Sequence, residues 1–169
     1  MNDETKITIR KAQAEDANAY TNCTITCWQA AYREIVSNEY LDNMPTNKPL
    51  WEKTLARLET PGFCEYYCVM RNNEMIGQLI VDTEHSEIWA IYLIEAFWGM
   101  GYGKEMLDFA INTLENAGHK QVTLWVFEEN QRARRFYEKH GFTFNGAKKT
   151  VDKYGGVPLV EVQYALDLW

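Results

Sequence analysis

The stretch AFWGMGYGKEML, residues 96–107, alternates three glycines, Gly99, Gly101 and Gly103, and runs through Lys104 into an apolar helical pattern. Glycine loses more backbone freedom on folding than any other residue and has no side chain to pack. Three of them just ahead of a helix suggest a main chain that something anionic must reach. Peptide N–H groups from Gly99 to Lys104, helped by the positive end of the helix dipole, would converge on a pyrophosphate that side chains would otherwise hold off. Two other phosphate loops do not fit. The dinucleotide fingerprint needs glycine at its sixth position, where Lys104 stands. A nucleotide P-loop needs Ser or Thr after Gly-Lys, where Glu105 stands, and Gly at the position of Trp98. A tight turn without a ligand is the alternative.

The cysteines suggest less chemistry. Cys23/Cys27 and Cys64/Cys68 repeat one spacing, whereas zinc sites more often use a two-residue gap. Cys23 and Cys27 lie on one helical stripe with Ala30, Ala31 and Ile35, and Cys64 and Cys68 share a face of the strand-like run FCEYYCVM. They read as buried small apolar side chains, with zinc, a disulfide or a reactive thiol as lesser alternatives, and no metal is expected.

These residues need a scaffold, and the chain supplies a regular one. Thr5 to Arg10 reads as a short strand, followed by a long helix through WQAAYREI and a second helix, NKPLWEKTLARLE, with Pro49 near its start. Thr60-Pro61-Gly62 is a turn. FCEYYCVMR, EMIGQLIVD and EIWAIYLI are consecutive strands, the first two joined at Asn72-Asn73, a hairpin signal. After the glycines, Met106, Leu107, Ala110, Ile111 and Leu114 mark one helical face that ends near Gly118. QVTLWVF is the next strand. NQRARRFYEKHGF is a helix with Asn130 as N-cap and Gly141 as C-cap, and FTFNGAKKTVD and LVEVQYALDL are closing strands. The order βααβββαβαββ, with a strand–helix–strand crossover in its middle, indicates an α/β (mixed α+β) domain spanning residues 1–169, a mixed sheet covered by helices.

With 169 residues, 14% aromatic and 24% charged, the chain has the composition of a globular protein with a core and a cleft. Its net charge is −7. The only dense basic run, QRARRFYEKH, alternates with apolar residues at helical spacing, so no nucleic-acid partner is expected; an acidic chain better suits a cationic small molecule or peptide amine. The polar opening MNDETKITIR does not read as a signal peptide, and no segment is apolar over a membrane's width, so the expected location is cytoplasmic.

IYLIEAFWGMGYGKEML resembles motif A of the GNAT acetyltransferase superfamily, whose pattern is Gln or Arg, two residues, Gly, one residue, then Gly or Ala. Gly101 and Gly103 match the small positions, while Trp98 stands where Gln or Arg is usual. NQRARRFYEKHGF is similar to motif B, with Asn130, Ala133, Phe136, Tyr137, Gly141 and Phe142 in place. The resemblance implies a mostly antiparallel sheet of six to seven strands flanked by about four helices. It also implies an acetyl-CoA-dependent N-acetyltransferase, with acetyl-CoA held between splayed strands, EIWAIYLI and QVTLWVF. The main chain of Ile91, Tyr92 and Leu93 would pair with pantetheine as an added strand would. The pyrophosphate would rest on Trp98, Gly99, Met100, Gly101, Tyr102, Gly103 and Lys104, with Asn130 touching the cofactor and capping its helix.

By the same resemblance Tyr137 is the general acid to the departing CoA thiolate. The acceptor amine arrives protonated. Glu87, which opens the strand EIWAIYLI and shares strand parity with Trp89 and Ile91, is the first candidate base. His85, a water chain or a backbone carbonyl are the other options. Trp28 and Tyr32, four apart on one helix, with Tyr40 and Trp89, would wall a pocket for the acceptor, or else belong to the aromatic core. The implied acceptor is a primary amine of a small molecule, peptide or protein. A homodimer is implied only because many relatives pair through C-terminal strands or helix faces. The competing functions are a non-catalytic acetyl-CoA or CoA sensor and an interaction module.

Overall fold

The structure, a computed structural model, describes residues 6–44 and 48–169; the expected strand start at Thr5 and helix start at Asn47 lie outside them. Seven strands form one sheet: β1 (Thr8–Lys11), β2 (Cys64–Arg71), β3 (Glu74–Asp82), β4 (Glu87–Leu93), β5 (Gln121–Phe127), β6 (Thr143–Val151) and β7 (Leu159–Asp167). Their spatial order is β1-β2-β3-β4-β5-β7-β6. Every neighbouring pair is antiparallel except β4 and β5, which run parallel. A parallel pair needs a crossover, and the helix after the glycines supplies it. The hairpin between β2 and β3 turns at Asn72 and Asn73, both with positive φ (48° and 64°), as the Asn-Asn pair predicts.

Among the described residues five α-helices cover the sheet: α1 (Ala17–Ala31), α2 (Asn38–Asn43), α3 (Lys48–Glu59), α4 (Tyr102–Asn116) and α5 (Gln131–Lys139). The expected count was about four. The addition is α2, six residues long and too short for periodicity to show, although its N-cap Ser37 accepts the Tyr40 N–H at 3.2 Å. The long helix also stops at Ala31 rather than at Ile35, because the backbone leaves the helical region at the C-cap Tyr32, with φ of −119° and ψ of 13°.

Strand β2 is buried on both faces, which explains its near-continuous apolar run. Tyr67 and Val69 join the core beneath α4, where Met106, Leu107, Ala110 and Leu114 pack on Leu79, Val81, Ile88, Val122 and Leu124. Cys64, Tyr66 and Cys68 face the other way and pack with Tyr20 of α1. All four cysteines are buried and unbridged, as their apolar setting suggested, with the Cys23 and Cys27 sulfurs 4.0 Å apart. Each fully buried Leu or Met contributes about 1.5–3 kcal/mol of apolar transfer, so the α4 face fixes the helix, and with it the glycine loop, firmly to the sheet.

Candidate functional site

The parallel strands do not stay together. β4 and β5 pair only at Glu87–Thr123 and Ile88–Leu124 and then diverge. Beyond that point lies a cleft of about 1080 Å³, walled by residues 88–93 of β4, residues 125–127 of β5, the glycine loop and the inner side of α5. Gly99 and Gly101 have φ of 77° and 88°, the left-handed region that residues with a Cβ rarely adopt. A Cβ at either would meet nothing within 4 Å, so the loop presents open main chain to the cleft. Gly101 sits at the N-cap of α4, and its carbonyl accepts from Lys104 and Glu105 N–H at 3.1 and 3.2 Å. This narrows the expected cradle. The Lys104 amide is occupied, the Trp98 amide donates to Glu95 O at 3.0 Å, and among the described residues the amides of residues 99–103 have no backbone acceptor.

Other expected contacts separate into main chain and side chain. Ile91, Tyr92, Leu93, Trp98, Gly99, Gly101, Gly103, Lys104, Asn130 and Tyr137 all border the cleft. Met100 and Tyr102 do not: the Met100 side chain is exposed and the Tyr102 ring is buried in the core, so neither side chain forms part of the cleft wall. Trp98 is turned away from a donor role by its own bond, Nε1–H to the Leu93 carbonyl at 2.7 Å. Its ring is covered by the Arg132 guanidinium, 3.3 Å above the centroid. A cation therefore stands beside the loop, although it comes from α5. Asn130 caps α5, its Oδ1 accepting the Ala133 N–H at 3.1 Å.

Tyr137 lies one turn from the end of α5, held by edge contacts to Phe136 and Phe142 at 5.4 and 5.8 Å. Burial pushes its hydroxyl up to about 12. Tyr32 and Tyr92 are pushed up too, chiefly by burial, and each feels the Tyr137 hydroxyl electrostatically, so the three phenols neighbour one another at the base of the cleft.

A second cavity of about 410 Å³ adjoins the first and shares Trp28, Trp89, Tyr92, Tyr154 and Glu161 with it. Trp28 makes edge contacts at 4.9 Å with both Tyr32 and Tyr154, so the expected Trp28–Tyr32 pair exists, and Tyr32 borders only the larger cleft. Trp28 itself is almost fully buried, whereas Trp89 is 49% exposed. Tyr40 borders the smaller cavity.

Glu87 also borders the smaller cavity, and its carboxyl is raised above the usual carboxylate range, first by burial, with Lys149 pulling it back. Its expected parity with Ile91 does not hold, although Trp89 lines the same smaller cavity as Glu87. β4 pairs Ile88 with Val81 and Ala90 with Ile80, leaving Trp89 as an extra, bulged residue. The bulge reverses the faces, so Glu87 shares its side with Ala90 and Tyr92, opposite Asp82, Ile80 and Gln78. His85 borders neither cavity; its Nδ1 lies 2.9 Å from Asp82 Oδ2 on the surface. Several site residues carried no local signal. Arg132 reads as solvated helix surface, and Gln78, Tyr154 and Glu161 sit on β3, after β6 and on β7, where only the sheet order brings them to the cleft.

Comparison with known proteins agrees with this geometry. The model of the Acetyltransferase (GNAT) family matches residues 26–142. The uncharacterized N-acetyltransferase YycN of Bacillus subtilis strain 168 is 28% identical over 145 residues, covering 80% of this chain and 92% of that protein. The spermine/spermidine N(1)-acetyltransferase of the same organism is 30% identical over 109 residues, covering 56% of this chain and 72% of that protein. Among solved structures, PaiA N-acetyltransferase from Thermoplasma acidophilum, in complex with coenzyme A, superposes with a TM-score of 0.71 at 22% identity, covering 96% of this chain and 99% of that one. A GCN5-related N-acetyltransferase from Rhodopseudomonas palustris reaches 0.80 at 16% identity, covering 99% of each chain. These two likenesses concern the fold.

Proposed function

The chain belongs to the acetyltransferase (GNAT) family, and from that premise we propose that it transfers an acetyl group from acetyl-CoA to a primary amine by direct attack on the thioester. The observation that carries this is the diverging β4–β5 pair with a bare main-chain loop at its mouth and a half-buried phenol within. The free edge of β4 at Ile91, Tyr92 and Leu93 would take the pantetheine amides as a neighbouring strand would. The amides of residues 99–103 and the Arg132 guanidinium would hold the pyrophosphate. Asn130 and Lys104 flank it.

The acceptor would approach through the smaller cavity. There Glu87, directly or through water, takes the proton of the ammonium. The nitrogen then bonds to the acetyl carbon, the carbon–sulfur bond breaks with its electron pair leaving on sulfur as a thiolate, and the nitrogen's second proton passes to that thiolate, which gives the amide and the free CoA thiol. Tyr137 meets that charge as a hydrogen-bond donor, because a hydroxyl raised to about 12 stays protonated through the neutral range. Trp28, Tyr32 and Trp89 shape the entry.

Free-thiol release over a panel of amines, alongside calorimetric titration with acetyl-CoA, tests this reading. Saturable thiol release with at least one amine is the expected result. Tight acetyl-CoA binding with no release over the whole panel would instead make the protein a sensor, and absent binding would remove the cleft assignment altogether.

A further inference from the structure

The net charge of −7 suggested a cationic acceptor, yet the wall of the smaller cavity has the opposite sign. Lys53 and Arg57, one turn apart on α3, line it, and Lys153 lines it from the segment between β6 and β7. Lys149 also lines it but is compensated by Glu161 at 3.4 Å. Lys53, Arg57 and Lys153 have no carboxylate partner among the described residues, although the chain holds seven more acids than bases. They feel one another: Lys53 is held below the ordinary lysine range first by Arg57, with Lys153 adding to it. All three side chains are exposed, so water and salt screen much of their repulsion, and an anion between them would relieve the remainder.

The floor of the same cavity is built for a donor. Gln78 is almost completely buried; its Nε2 donates to Thr24 Oγ1 at 2.7 Å, while its Oε1 has no partner. A buried acceptor left unpaired costs about 1–3 kcal/mol, a deficit that an arriving N–H group removes. Gln78 pairs in register with Tyr92, at the join between the two cavities, and Glu87 lies along the same face of the sheet. The cavity is therefore divided, with acceptors on the sheet floor and cations on the helix and loop walls.

We propose that the acceptor is an amine that also carries an anionic group, a carboxylate or a phosphate, which Lys53, Arg57 and Lys153 hold while the amine is received at Gln78 and Glu87. This rests on the acetyl-transfer reading of the site. A polycation such as spermidine meets three uncompensated positive charges and is disfavoured.

Two measurements test the assignment. Glutarate, which has anionic groups and no amine, is titrated by calorimetry into the wild type, the double variant Lys53→Gln/Arg57→Gln and the separate variant Lys153→Gln, with circular dichroism checking the fold of each. Wild-type binding, weakened about tenfold or more in the double variant, is expected. Equal binding by all three, or none by the wild type, overturns the anion site. In the second, thiol release is compared for γ-aminobutyrate against butylamine, O-phosphoethanolamine against ethanolamine, and spermidine. An anionic amine should exceed its neutral match about tenfold in kcat/KM, with that ratio collapsing in the double variant. The better anion of the two pairs identifies carboxylate or phosphate, and preference for the neutral amines or for spermidine overturns the proposal. Glutarate binding is readable without turnover, so failure of acetyl transfer and failure of the anion site are told apart.

Discussion

Replacing Tyr137 by Phe isolates what its hydroxyl does. The ring contacts to Phe136 and Phe142 survive the substitution, so acetyl-CoA affinity and thermal stability should change little. The magnitude follows from the hydroxyl's position on the acidity scale. It is raised to about 12 by burial, whereas an ordinary thiol ionises near 8.5. Handing its proton wholly to the leaving thiolate would be uphill by roughly 3.5 pK units, on the order of 5 kcal/mol. Its contribution is therefore a hydrogen bond to a developing charge, worth about 1.5–3 kcal/mol, and Tyr137→Phe should lower kcat roughly 10- to 150-fold. The wild-type rate should show no alkaline limb attributable to this phenol across the neutral and mildly basic range. The assay is thiol release at saturating acetyl-CoA, with affinity measured separately by calorimetry. A kcat within about threefold of wild type, with binding intact, refutes the role. A loss approaching ~10,000-fold refutes the hydrogen-bond argument instead, because it demands full proton transfer.

Glu87→Gln should remove the acidic limb of the pH–rate profile: the wild-type base must be ionised, its folded pKa lies above the usual carboxylate value, and kcat falls as pH drops through it. An unchanged limb in the variant assigns the base elsewhere. Gly101→Ala forces a side chain into the left-handed region at a cost of about 1–2 kcal/mol, so Tm should fall by roughly 2–8 °C. Its methyl group enters the open face of the loop, so acetyl-CoA affinity should drop as well; a melt that shifts while titrations do not separates strain from binding. Arg132→Gln should weaken acetyl-CoA roughly 10-fold and flatten the salt dependence of that affinity, and titrations at two ionic strengths that match wild type would leave Arg132 only its stacking on Trp98.

Much of the scaffold was legible because its signals are local. Asn130 before an amphipathic helix, Asn72-Asn73 between alternating strands and glycines at a strand–helix junction each act within a few residues, and each appears where the chain placed it. What escaped was settled by partners distant in sequence. The Trp89 bulge depends on how β4 registers against β3, which a period-two pattern in one strand does not encode. Trp98 looked like the loss of a phosphate donor, and only packing of α5 against the loop shows Arg132 laid across it. Lys53, Arg57 and Lys153 come from a helix and a loop almost a hundred residues apart, each unremarkable alone. Net charge is silent about such a wall for the same reason: it averages a surface, whereas a substrate meets one side of a cavity.

The bulge and the cleft are one event. The last parallel pair is Ile88–Leu124, the extra residue is Trp89, and from there β4 keeps its bonds to β3 while leaving β5. A bulge bends its strand and increases the local twist, so the insertion against β3 turns the following residues out of the β5 ladder. Buried backbone N–H and C=O groups need partners; on the side of β4 that has left β5, the Leu93 carbonyl is taken by Trp98 Nε1–H, while the Ile91 edge is left without a strand beside it. β5 cannot restore it, because its ladder to β4 ends at Ile88–Leu124 and the two strands diverge beyond that pair. The vacancy has the spacing of a strand and ends at a helix N-terminus. An elongated molecule bearing amides along its middle and phosphates at one end matches both features. The register of one residue in β4 therefore opens the strand edge on which the proposed donor would lie.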